Sequence, residues 1–93
     1  MSKYRKKPVV VDAVLWAGGD YEHLNTFCGL NWTRGDAVEE EYNDKEQVVV
    51  WNALESQWLH VPVGHYIIRG VSGELYPCDP DVFQRTYEPV EDK

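Results

Sequence analysis

Apolar and polar positions alternate most cleanly near the start of the chain. From Val9 to Trp16, the residues Val9, Val11, Ala13 and Leu15 share one parity and Asp12 interrupts the other; a period of two predicts a strand with the odd-numbered set facing inward. Gly18 and Gly19 break it. Asp20 is placed to cap a short helix in which Tyr21, Leu24, Phe27 and Cys28 recur at spacings of three and four, and Gly29 supplies the stop. A helix with one apolar stripe must cover something. Leu24 and Phe27 are therefore expected to lie on the sheet that the first strand begins, with Cys28 at the core boundary.

The segment from Asn31 to Lys45 carries Asp36, Glu39, Glu40, Glu41 and Asp44 among few apolar residues, which predicts a loop with one edge strand. Gln47 to Asn52 and Gln57 to Pro62 read as β-branched and aromatic strands joined by the four residues Ala53 to Ser56, a hairpin. Pro62 and Gly64 mark the next turn. His65 to Arg69 and Glu74 to Pro77 then form two further strands around the Gly70 to Gly73 turn. Because strands adjacent in sequence usually pair, these predict one antiparallel meander. Asp79-Pro80-Asp81 opens a second helix, with Pro fixing the first helical φ and both carboxylates at the positive end of the dipole. Val82, Phe83 and Tyr87 are expected to face inward, and Pro89 limits the helix to two turns or so. The fold class is α+β: a small antiparallel sheet of about five strands in a meander with two short helices.

Ninety-three residues, 43% apolar, 13% aromatic and 27% charged, suit one globular core and leave no room for a second. Residues 1–93 thus read as one domain, with 1–7 a flexible basic leader and 90–93 a flexible tail. No apolar run approaches the length of a membrane span, and the basic start leads only into Val9, Val10 and Val11 before Asp12, so neither an anchor nor a signal peptide is expected. Two cysteines, Cys28 and Cys78, allow at most one bridge. They are expected to be reduced, in a cytoplasmic setting.

The net charge of −7 hides an asymmetry: beyond position 7 the chain holds five basic against sixteen acidic residues, a charge of −11. Such a body repels a phosphate backbone, which excludes nucleic acid as the expected partner. His23, His60 and His65 lack the short paired spacing of a closed metal site, so no metal or other cofactor is expected. Cys78 with His65, or Glu74 with Asp79 and Asp81, are the nearest approaches to a catalytic set; helix capping accounts for the two aspartates, and no enzyme is expected.

The aromatic inventory carries more weight. Trp16, Trp32, Trp51, Trp58, Tyr66, Tyr76 and Phe83 are many large rings for so small a core, and exposed Trp and Tyr are enriched where proteins meet partners. Trp51 and Trp58, opposite each other across the predicted hairpin, are the pair expected to reach solvent, with Arg69 adding a cationic contact. The candidate partner-binding set is Trp51, Trp58, Tyr66, Arg69, Glu74 and Tyr76. An open sheet edge leaves self-pairing into a homodimer as a further expectation.

Three segments carry a family likeness. The opening Lys3-Tyr4-Arg5-Lys6-Lys7-Pro8-Val9-Val10-Val11-Asp12-Ala13-Val14-Leu15-Trp16, the stretch from Gly64 to Phe83 containing Tyr66-Ile67-Ile68-Arg69-Gly70-Val71 and Tyr76-Pro77-Cys78-Asp79-Pro80-Asp81, and the closing Thr86-Tyr87-Glu88-Pro89 resemble a family of small bacteriophage proteins, most without an assigned activity. The resemblance implies a phage gene product acting in the host cytoplasm. Where relatives carry an acidic residue in a Gly-Asp-aromatic turn, this chain has His65, so no role of that carboxylate carries over. The acidic stretch from Asn31 to Glu46 has no counterpart in the family pattern. Together these readings lead to the expectation of a non-enzymatic accessory protein that binds a host protein through an aromatic and acidic surface. The competing expectation is a module that sequesters a nucleotide signal, with Trp58, Tyr66 and Arg69 around the ligand.

Overall fold

The computed structural model describes residues 2–4, 9–35 and 47–90. Its elements in chain order are β1 (Asp12–Leu15), α1 (Tyr21–Cys28), β2 (Trp32–Arg34), β3 (Val48–Asn52), β4 (Gln57–Val61), β5 (Tyr66–Arg69), β6 (Leu75–Cys78) and α2 (Pro80–Thr86). The expected single meander of about five strands is replaced by two antiparallel three-stranded sheets, ordered β1-β5-β6 and β2-β3-β4. The class remains α+β. The basic residues 5–7 of the leader, the acidic run from Asp36 to Glu46 and tail residues 91–93 lie outside the described residues; the one edge strand expected after Asn31 is β2.

Two sheets form because two strands are apolar on both faces. Val48, Val49 and Val50 are all buried in β3, as are Ile67 and Ile68 in β5, and a strand of that kind belongs at the centre of a sheet, covered on either side. One sheet has one centre here. β3 therefore gathers β2 and β4, while β5 gathers β1 and β6. The connection from β4 to β5 enforces the change of sheet. His65 N–H donates to the Pro62 carbonyl at 3.1 Å, Gly64 takes φ of +92°, and Gly64 N–H and the His65 carbonyl both bond Trp16. That is a β-bulge with glycine in its left-handed position, which turns the chain onto β1 instead of back along β4. The same device closes β5 onto β6, where Gly73 at φ of +82° donates to the Gly70 carbonyl and Gly70 N–H to that of Glu74.

The sheets face each other across a core of Val14, Ile67 and Leu75 from one and Val48, Val50 and Val61 from the other, closed by Trp16, Leu24 and Cys28. α1 forms as its sequence predicts: the Asp20 carboxylate accepts from His23 N–H, and Gly29 N–H bonds the Asn25 carbonyl. Its Tyr21 ring lies 5.6 Å from both Trp16 and Trp32, and the Trp32 indole donates to Asn25 Oδ1 at 2.9 Å, tying α1 to β2. β1 corrects the expected facing. Val14 and Trp16 point inward, whereas Ala13, Leu15 and Val9 are exposed. Asp12 shares the inward parity without being buried, because it lies at the end of the strand and meets Arg69 at 3.5 Å.

Among the described residues, Asn52 is the one buried polar residue, 4% exposed. Its amide donates to the Leu75 carbonyl of the facing sheet at 2.9 Å, and its oxygen accepts from Glu55 N–H at 2.8 Å in the β3–β4 turn. One side chain thus joins the sheets and shapes the hairpin that carries Trp51 and Trp58.

Candidate functional site

The β3–β4 hairpin pairs Trp51 directly with Trp58. Their rings meet edge to face with centroids 5.4 Å apart, the arrangement that the ring quadrupole favours. Alternation places them, with Thr33, Val49 and His60, on the face of β2-β3-β4 opposite the core residues Val48, Val50 and Val61. Trp51 is half-buried, Trp58 is 38% exposed, and Leu54 in the connecting turn is 67% exposed beside the exposed Glu55. His60 Nε2 bonds Gln47 Oε1, just before the neighbouring strand β3, holding one flank of this face. A large apolar ring left partly in water at the tip of a hairpin is area available to a partner.

The other four residues of the candidate set stand elsewhere. Tyr66 stacks on Phe83 of α2, with centroids 3.8 Å apart and planes at 10°. Phe83 in turn meets Tyr87, whose hydroxyl lies 3.5 Å from that of Tyr76. These rings dock α2 on the face of β1-β5-β6 that carries Ile68; Val82, expected inward, is exposed instead. The Tyr76 phenol is pushed well above its ordinary pKa by burial and then by its bond to Tyr87. Arg69 points from the opposite face of β5. Its guanidinium lies 4.4 Å over the Phe27 ring, donates to the Phe27 carbonyl and meets Asp12, so it closes the C-terminal end of α1 and makes no contact with the tryptophan pair in the way expected. Glu74 accepts from Ser72 N–H at 3.1 Å within its own turn.

Asp79 Oδ1 caps α2 through Asp81 and Val82 N–H, and its Oδ2 lies 3.7 Å from His65 Nε2. His65 therefore has a carboxylate neighbour that sequence spacing did not suggest. Cys78, however, pairs with Tyr66 and shares its face, one residue out of step with both His65 and Asp79. Burial and then the Asp79 charge raise the Cys78 pKa, which keeps the thiol protonated and a weak nucleophile. Cys28, the other free cysteine, is buried, and burial holds its pKa up at about 11 against the lowering charge of Arg69. Among the described residues, no three His, Cys, Asp or Glu side chains converge as metal ligands would. Nor is any described helix long and apolar enough to cross a membrane.

Only the Trp51–Trp58 part of the candidate set was legible as a surface, because a two-residue register match across a short hairpin is visible in sequence. The docking role of Tyr66 and Tyr76 was missed; the aromatic spacing Phe83 to Tyr87, one helical turn, was the signal that could have found it. No family model, curated protein or solved structure matches the chain.

Proposed function

We propose that this chain is a non-enzymatic accessory protein that binds another protein through the face bearing Trp51 and Trp58. The observation that carries the reading is Trp58 itself. It lies 38% exposed against Trp51, on a hairpin whose turn Asn52 fixes from within the core. A rigid backbone under a partly exposed indole pair gives a partner much apolar area with little entropy to lose, which is how interface hot spots are built. Leu54 extends the apolar surface and Glu55 begins its acidic rim. The body charge of −11 favours a partner with a basic surface and speeds its approach. The setting of a bacterial host cell, its cytoplasm and its proteins, rests on the resemblance of the two chain ends to small phage proteins and on nothing else.

A nucleotide-sequestering module would need Trp58, Tyr66 and Arg69 around one ligand. Tyr66 and Arg69 project from opposite faces of β5, and the guanidinium already bonds Asp12 and Phe27. The protein-binding reading is preferred on that ground. Affinity capture from bacterial lysate with the full chain, beside a Trp51→Ala/Trp58→Ala variant of unchanged fold, tests it. A protein recovered by the first and absent from the second is expected; equal recovery by both removes the aromatic face from the account.

A further inference from the structure

Among the described residues, β1 is an edge strand, paired with β5 on one side only. Its hydrogen-bond phase follows from Trp16, which directs both its N–H and its carbonyl toward the β4–β5 connection. In an antiparallel ladder the residues two and four positions away point the same way, so Val14 and Asp12 face β5. Ala13 and Leu15, and Val11 just before the strand, turn their N–H and C=O outward to the open edge. A cleft flanks that edge on each face. Toward α2, a groove of about 460 Å³ is lined by Val9, Val11, Ala13, Phe83, Tyr87 and Val90, with Glu88 at its rim. Toward α1, a second hollow of about 400 Å³ is lined by Asp12, Ala13, His23, Thr26, Phe27 and Arg69. The first is mainly apolar and the second evenly mixed. Unlike many natural edges, Ala13 and Leu15 present neither lysine nor proline to block pairing.

We propose that the β1 edge receives an extended, basic peptide segment of a partner protein as an added antiparallel strand, independently of the tryptophan face. Side chains of an added strand alternate between the two faces, so every second one enters the apolar groove beside Phe83 and Tyr87. The others reach the α1 side, where the Asp12 carboxylate is 73% exposed. Main-chain bonds to Val11, Ala13 and Leu15 supply affinity, and the two unlike clefts supply selectivity. Glu88 lines the groove, Asp12 shares its charge with Arg69 in the α1-side hollow, and the body beyond position 7 carries −11; that overall charge disfavours a second copy of this chain as the occupant and favours lysine or arginine among the peptide's polar positions.

The test uses the full chain and a synthetic peptide alternating valine with lysine, matched in length to Val9–Leu15. Binding is read by calorimetry and by amide hydrogen exchange. Exchange at Val11, Ala13 and Leu15 is expected to slow on saturation, while Asp12, Val14 and Trp16 are protected already. Ala13→Pro removes an outward N–H without touching the β5 ladder, and is expected to weaken binding by about tenfold or more, the scale of one or two lost backbone bonds. The same loss is expected when glutamate replaces lysine in the peptide, or when alternate peptide amides are N-methylated. The methylated peptide decides the matter even if Ala13→Pro unfolds. Trp51→Ala/Trp58→Ala should bind the peptide as the native chain does. Unchanged affinity for the methylated peptide overturns the proposal, as does slowed exchange that spares the three outward amides. A concentration-dependent dimer abolished by Ala13→Pro assigns the edge to a second copy and overturns the peptide assignment.

Discussion

Replacing Asn52 by leucine keeps the side-chain volume nearly constant and removes both polar bonds. The Leu75 carbonyl, on a residue 3% exposed, then loses the Nδ2 donor at 2.9 Å and is left buried without a partner, at about 1–3 kcal/mol. The Glu55 N–H loses an acceptor at 2.8 Å, but Glu55 sits in an exposed turn and water replaces the bond, at roughly 0.5–1 kcal/mol. The expected total is about 1.5–4 kcal/mol, with a centre near 2–3 kcal/mol. A folded chain of 93 residues has a total stability of roughly 5–14 kcal/mol, so this is a large fraction, and the melting temperature should fall by about 10–20 °C. Urea unfolding monitored by tryptophan fluorescence measures it, with an unchanged m-value showing that the native state stays compact. Asn52→Asp adds a check of sign. Its second oxygen would face the Leu75 carbonyl, where burial and repulsion raise the folded pKa above the unfolded value of about 3.9. The neutral acid fits and the carboxylate does not, so the deficit relative to the native chain is smallest below about pH 4 and grows as pH rises through the folded pKa. If Asn52→Leu unfolds within about 0.5 kcal/mol of the native chain, the inter-sheet clamp has no net worth and the rigidity attributed to the tryptophan hairpin loses its cause.

Two further outcomes follow from local geometry. Ser56 holds a left-handed φ of +53° in the β3–β4 turn, so Ser56→Val should destabilise by roughly 1–2 kcal/mol in thermal unfolding while Ser56→Gly is neutral or mildly stabilising; equal effects of the two would contradict the assigned turn. The Cys28 pKa is raised to about 11, so the thiol contributes stability that is complete below the unfolded pKa near 9 and is lost as pH rises from there through about 11. Cys28→Ala, cheaper in cavity terms than most core truncations, should flatten that alkaline loss in a pH series of melting temperatures; an unchanged slope would place its origin elsewhere.

Much of the local architecture was legible. Asp20 to Gly29 encodes a capped helix without tertiary help, Asp79-Pro80 encodes the start of another, and the spacing of Trp51 and Trp58 across Ala53–Ser56 encodes the hairpin. The inward face of β1 was not, because Val9 to Trp16 is apolar on both parities and only the bulk of Trp16 and the remote partner of Asp12, Arg69, break the tie. The division into two sheets was written in Val48-Val49-Val50 and Ile67-Ile68, whose unbroken apolar character marks central strands, but local pairing rules favoured a meander. At the surface, Trp51 and Trp58 could be read together because they are seven residues apart on one hairpin. Tyr66, Tyr76, Arg69 and Glu74 could not be sorted, since what satisfies the first three is Phe83, Tyr87, Phe27 and Asp12, none of them neighbours on the same strand.

The indole pair is proposed as the anchor for a protein partner. Calorimetry of the captured partner against the native chain and against Trp58→Ala measures it, with far-ultraviolet circular dichroism confirming that the variant keeps its fold. A buried tryptophan anchor is worth about 2 kcal/mol or more, so Trp58→Ala should weaken the complex by about thirtyfold; an affinity within about twofold of the native value would mean that the partner binds elsewhere.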